Sequence, residues 1–377
     1  MNIELPGSLL ALTLFGWLQA STFVSSEEVS TPRLTLDFEV ILPEDYRLIR
    51  ARLDGNRILT HGLPVSGTGP GIFQVHRSSA EGLVQEFEVS SSELGAGLFG
   101  TGASFELDGT RLLLGDELVG SLALFRREAD GWILAGQMRG RARISGRLDH
   151  GSLLLRQEEP ESRNRFRAHV LRDSGPGWRF ETTLETPLER VSWWNTSQVY
   201  DADGHRVAVA GPGTLGDRAV HVYRRSPGRG WNQEAELVPD ALRGLGRNAS
   251  DVGSLSLSDR LLAFGVLDTL TFRTTIYLFE LRESGWEQVR ALPSEEGIHT
   301  RVVGLSDRLL ALESSDGFER WTNVYRRNDR WNSPVVLMAN SGRHVVDAHV
   351  DGDRALGIDH DPDSPENGKL TVYRWRQ

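Results

Sequence analysis

No cysteine occurs in the 377 residues, and that absence removes disulfide frameworks, thiolate metal sites, cysteine nucleophiles and iron–sulfur clusters together. Lysine is nearly absent as well, since Lys369 is the only lysine among 42 basic residues. The arginines that make up the rest are dispersed among 52 carboxylates, the formal charge is −10, and no basic block forms. A polyanion would be repelled, so no nucleic-acid partner is expected. No segment reaches the ~18 consecutive apolar residues of an easy membrane span, and the mature chain is expected to carry no integral membrane segment. The apolar stretch LLALTLFGWLQA, from Leu9 to Ala20, has the length of a signal-peptide core, although Glu4 and no Lys or Arg precede it. Residues 1–25 are expected to be a signal peptide and the product to be secreted, periplasmic or at the cell surface.

What is abundant points to β structure. Forty glycines without a collagen-like period indicate many tight turns, and ten Trp, fourteen Phe and six Tyr supply a sizeable core. A short unit recurs seven times: LDGNRIL from Leu53, LDGTRLLL from Leu107, LDHGSLLL from Leu148, DADGHRVAV from Asp201, LSDRLLAF from Leu257, LSDRLLAL from Leu305 and VDGDRAL from Val350. Asp-Gly or Ser-Asp pairs suit hairpin turns, and the apolar run after each reads as a buried strand. Each unit then continues into β-formers ending in arginine, such as LALFRR, VHVYRR and TNVYRR. In most units a turn into tryptophan follows, at Trp132, Trp178, Trp231, Trp286 and, in degenerate form, Trp331.

A further apolar segment precedes each turn, so each unit holds about four strands. The last unit ends at Gln377 after its third, and LTLDFEVILPED from Leu34 resembles the fourth-strand run NQEAELVPD from Asn232. The expected fold is all-β: a seven-bladed β-propeller of four-stranded blades, one domain over residues 26–377, its ring closed by the N-terminal strand in the last blade.

These residues resemble the bacterial FG-GAP repeat proteins, whose blades are related to the integrin α-subunit propeller. Phe99-Gly100 ahead of GASFELDGTRLLLG matches the FG element, AGPG from Ala210 is a permuted trace of GAP, and VYRRSPGRGWNQEAEL from Val222 follows the family's strand, turn and tryptophan pattern. The resemblance runs from about Leu34 onward and implies a propeller that can hold Ca2+ in acidic loops between second and third strands. In this sequence the matching loop is GIDHDPDSPENG, where Asp359, Asp361, Asp363 and Asn367 are the candidate calcium ligands and Pro362 and Pro365 depart from the usual pattern. The alternative is a solvated acidic loop and no cofactor.

Other motifs carry less. GAGLFG from Gly95 and GPGTLG from Gly211 match a dinucleotide fingerprint in letters, but a strand rather than a helix follows each. No G-x-S-x-G elbow occurs. His344, His349 and His360 fall near one another in the last unit without an even strand spacing. Trp193, Trp194 and Trp321 lie outside the repeated tryptophan position and are candidate ligand-binding aromatics, with core packing as the alternative. The expected function is therefore an exported, monomeric, non-catalytic binding or scaffold module that engages a protein or glycan through the loops of one propeller face. Two alternatives stand beside it: a hydrolase or lyase with acid–base residues at the channel mouth, and a purely structural spacer.

Overall fold

Each repeat of the sequence folds into one antiparallel sheet, and seven such sheets stand around a central channel. The computed structural model describes residues 34–40, 42–43, 45–94, 103–116, 120–139, 143–159, 162–175, 177–185, 188–189, 200–214, 218–242, 250–268, 271, 273–316, 320–327, 330–331, 334–338, 348–361 and 364–375. Blade 1 is β2 (Tyr46–Asp54), β3 (Arg57–Pro64), β4 (Ile72–Ser79) and β5 (Gly82–Ser90); blade 2 is β6 (Ala103–Asp108), β7 (Arg111–Asp116), β8 (Ser121–Glu128) and β9 (Gly131–Arg139). Blade 3 is β10 (Ile144–Asp149), β11 (Ser152–Glu159), β12 (Ser162–Asp173) and β13 (Trp178–Thr183), with the short β14 (Leu188–Glu189) also on β12. Blade 4 is β15 (Tyr200–Asp203), β16 (Arg206–Pro212), β17 (Arg218–Ser226) and β18 (Gly230–Leu237). Blade 5 is β19 (Ser250–Ser258), β20 (Leu261–Asp268), β21 (Thr274–Arg282) and β22 (Gly285–Pro293); blade 6 is β23 (His299–Leu305), β24 (Leu309–Ser315), β25 (Arg320–Arg326) and β26 (Val335–Met338).

Blade 7 completes the ring in the expected way. Its first three strands are β27 (Ala348–Asp351), β28 (Arg354–Asp361) and β29 (Ser364–Trp375), and its fourth is β1 (Leu34–Val40), antiparallel to β29 from Leu34↔Trp375 to Val40↔Leu370. A strand from one chain end thus covers the edge that the other would leave open. Val40 and Leu42 then enter a buried cluster with Leu356, Ile358 and Val372 of blade 7 and Leu48, Leu53 and Ile58 of blade 1. Similar clusters fill the other gaps, for example Leu59, Phe73 and Val75 against Phe105, Leu112 and Leu114 between blades 1 and 2. The core is thus a series of sandwiches between blades, each fully buried leucine or phenylalanine contributing about 1.5–3 kcal/mol.

First strands touch first strands right round the ring, which places β2, β6, β10, β15, β19, β23 and β27 on the channel. The repeated Asp-Gly and Ser-Asp turns all join first strand to second and so gather at one end of it. Among the described residues no helix is long and apolar enough to cross a membrane.

Candidate functional site at the channel mouth

Because each turn follows a channel strand, one acidic position per blade is delivered to the same rim. In register with one another are Asp54, Asp108, Asp149, Asp203, Ser258, Ser306 and Asp351, each at the foot of a first-strand hairpin, and where blades 5 and 6 have serine the acid follows one position later as Asp259 and Asp307. The residue after the turn acid needs a left-handed backbone, and glycine supplies it at Gly55, Gly109, Gly204 and Gly352, with φ between 48° and 55°. Blade 5 uses Asp259 there (φ 38°) and blade 3 uses His150 (φ 42°).

The turn acids link neighbouring blades. The amide of Gly55 donates to Asp351, that of Gly109 to Asp54, that of Gly151 to Asp108 (3.0 Å) and that of Gly204 to Asp149 (2.7 Å). Each carboxylate thus satisfies a turn amide of the next blade. Two positions deeper, the channel strands carry Arg52, Glu106, Arg147, Asp201, Ser256, Gly304 and His349 in register. This belt is also linked: Glu106 pairs with Arg52 (3.9 Å) and with Arg147, Asp201 accepts from the Leu257 amide (2.9 Å) and the Ser256 hydroxyl (3.2 Å), and His349 Nδ1 accepts from the Leu53 amide (3.4 Å).

Rim and belt together enclose a polar cavity of about 710 Å³. Its electrostatics follow from removing many acids from water at once. Burial pushes Asp54 up to about 6 against the Gly109 amide, with Asp351 and Asp108 adding repulsion. Burial likewise takes Asp201 to about 6 despite Arg147, and takes Asp203 to about 7 with help from Asp149. His150 moves the other way: its hydrogen bond and charge attraction to Asp149 raise it to about 9. Burial, and then Arg52 and Arg147, hold His349 well below the usual imidazole range. The mouth therefore combines acids that titrate near neutrality with one exposed imidazolium.

The residues singled out from the sequence fall elsewhere. Asp359 and Asp361 lie on β28, opposite Lys369 and Ser364, and Asn367 lies on β29, so this hairpin is at the end of blade 7 away from the turn rim. Asp363 and the side chains of Asp359, Asp361 and Asn367 are outside the described residues, as are Trp193, Trp194, the Phe99-Gly100 pair and residues 1–33. Trp321 is half-buried on β25 opposite Ser314, again away from the rim. Of the three grouped histidines His349 lines the cavity, His344 is outside the described residues and His360 lies on β28.

No protein-family model and no curated protein matches the chain. Solved structures do. The β-propeller domain of the Trilobed protease from Pyrococcus furiosus, described as having an open velcro topology, is 7% identical, with 88% of this chain and 95% of that one covered and a TM-score of 0.53. A prolyl endopeptidase is 15% identical over 87% of this chain and 46% of its own, with a TM-score of 0.55. A puromycin hydrolase mutant complexed with PGG is 11% identical over 84% and 50%, with a TM-score of 0.51. The chain spans about half the length of these last two. At such identities the likeness is one of fold, the β-propeller, and activity must be argued from the site.

Proposed function

We propose that the protein is an exported binding module that engages a protein partner by its basic side chains at the turn end of the channel. The observation that supports this is the convergence of seven hairpin turns, five of them carrying a turn acid in register, on one polar cavity of about 710 Å³. Propellers offer such a rim without committing the blades to any chemistry. The resemblance to FG-GAP repeat proteins supports a module of this kind, with calcium at the Asp359–Asn367 hairpin as an accessory that stiffens blade 7. A glycan is the other partner class, and it would call for stacking aromatics such as Trp193, Trp194 or Trp321 rather than the rim.

The second reading, a hydrolase or lyase, is favoured by one specific feature: Asp54, Asp201 and Asp203 titrate where general acids and bases operate. It ranks second because Asp54, Asp108, Asp149 and Asp351 already hold neighbouring turn amides, and Asp201 holds Leu257.

Peptide and glycan arrays probed with the intact protein, with and without Ca2+, test the proposal against a variant carrying Asp54→Asn, Asp351→Asn and Asp307→Asn, the last on the blade 6 turn that also lines the cavity, since asparagine retains an acceptor oxygen for the turn amides that Asp54 and Asp351 hold. Arginine- and lysine-rich peptides should bind, more weakly as salt rises, and the variant should lose at least about tenfold. Equal binding by the variant would move the ligand face elsewhere. Cleavage of an array ligand would promote the second reading.

A further inference from the structure

Blade 3 departs from its neighbours at the one turn position where a side chain reaches over the channel. Where blades 1, 2, 4 and 7 place glycine, it places His150, at a φ of 42° that favours glycine or asparagine. The imidazole lies over the rim with Nδ1 2.6 Å from Asp149 Oδ2 and 3.8 Å from Asp203 Oδ1. All three ligand atoms fall within 4.8 Å of one another, and they come from the turns of two adjacent blades.

We propose that Asp149, His150 and Asp203 form a binding site for a divalent transition-series cation, with zinc as the reference ion. Ligand atoms that share a tetrahedral zinc at about 2.0–2.2 Å stand roughly 3.3–3.5 Å apart. The observed 2.6 and 3.8 Å lie on either side of that separation, and the two carboxylates offer ligand atoms within 4.8 Å of each other, so the set stands near the spacing an ion requires. The imidazole decides the class. Calcium takes six to eight oxygen donors, whereas one nitrogen with two carboxylates suits zinc and its neighbours.

The surroundings support ligation independently of the acids themselves. Asp149 Oδ2 is oriented by the Gly204 amide at 2.7 Å, an outer-shell hydrogen bond of the sort that fixes a ligating carboxylate. Gly204 also leaves room for the histidine: a Cβ placed on it would stand 3.3 Å from His150 Cβ. His150 and Asp203 line the cavity of about 710 Å³, so a fourth coordination position faces open space that a water or a ligand atom can fill. This site does not depend on the partner-binding reading, because an ion can be held whether or not a partner docks.

Equilibrium dialysis of the intact protein against zinc alone, read by elemental analysis, tests it, with Asp351→Asn across the rim as the control. One zinc per chain is expected in the wild type and in Asp351→Asn, with affinity reduced at least about tenfold in His150→Asn and in Asp203→Asn. Asparagine suits the positive φ at position 150, and Asp203→Asn provides a second route should the first variant misfold. Cobalt substitution should give visible bands of mixed nitrogen and oxygen coordination that disappear in His150→Asn. Absence of stoichiometric zinc, equal loss in Asp351→Asn, or complete displacement of zinc by equimolar calcium would each overturn the site.

Discussion

Glu181 shows how single residues hold blades together. Lying on the outer strand of blade 3, it accepts two hydrogen bonds from Arg225 of blade 4, at 2.9 and 3.1 Å, and one from the Trp231 indole at 2.7 Å. Glu234 repeats the tryptophan half of the arrangement one blade on, accepting from Trp286 of blade 5 at 3.3 Å, while its arginine partner Arg206, at 2.8 Å, belongs to its own blade. The arginine half recurs where Arg127 of blade 2 pairs with Glu86 of blade 1 at 3.5 Å and Arg327 of blade 6 with Glu280 of blade 5. The recurring strand-end arginine and turn tryptophan are therefore an inter-blade clamp as well as packing. Burial alone would raise the pKa of Glu181, but its hydrogen bonds from Arg225 and Trp231 reverse the effect and lower it. A lowered carboxylate pKa contributes stability that is present above about 4.5 and lost as pH falls through the folded value. Glu181→Gln should thus destabilise by about 1–3 kcal/mol at pH 7 in denaturant titration, and the deficit should shrink in acid. Asp54 has the opposite sign. With a folded pKa of about 6 against 3.8 in the unfolded chain, its charge opposes folding progressively from pH 4 to 6. Asp54→Asn should melt above the wild type at pH 8 and together with it near pH 4; a constant difference would show that charge is not the cause.

The scale of strands and hairpins is where the sequence is most legible. Seven turn units predict seven blades because each Asp-Gly or Ser-Asp pair has one local solution, a tight reversal between buried strands. The missing fourth strand after Val372-Tyr373-Arg374-Trp375 predicts a donor, and β1 is that donor. The site was harder to see. Asp359, Asp361 and Asp363 attract notice because they crowd one stretch of chain, whereas the belt and rim supply one residue per repeat, from 41 positions apart (Glu106 to Arg147) to 55 (Asp201 to Ser256). Aligning the units on the turn acid would have revealed the belt, since Arg52, Glu106, Arg147, Asp201 and His349 all stand two residues before it. His150 stands in LDHGSLLL, where the sequence pattern marks only a turn. Ring closure carries its own prediction: deleting residues 34–42 removes the β1–β29 ladder and the burial of Val40 and Leu42. The melting point should fall by ~5 °C or more, with concentration-dependent association through the bared β29 edge. Unchanged melting and migration would contradict closure by β1.

Across the whole molecule, the repeat turns one residue position into a ring. Seven copies of a hairpin place seven turns round one channel mouth, and substitutions within single copies, such as His150 for glycine, make one sector of the rim unlike the others. The opposite end of the disc collects the second-to-third-strand connections, including the Asp359–Asn367 hairpin, so the two ends differ in chemistry although they share strands. Outer strands present scattered apolar side chains, with Phe180 57% and Leu134 53% exposed, which gives a third surface on which a partner could be found. The end of the disc that takes the ligand is decided most directly by hydrogen–deuterium exchange with and without the tightest array peptide. Binding at the mouth predicts slowed exchange in the turns 54–57, 149–152, 203–206 and 351–354, with β5, β9 and β13 unchanged. Protection confined to those outer strands, or to the hairpin at 359–367, would contradict it.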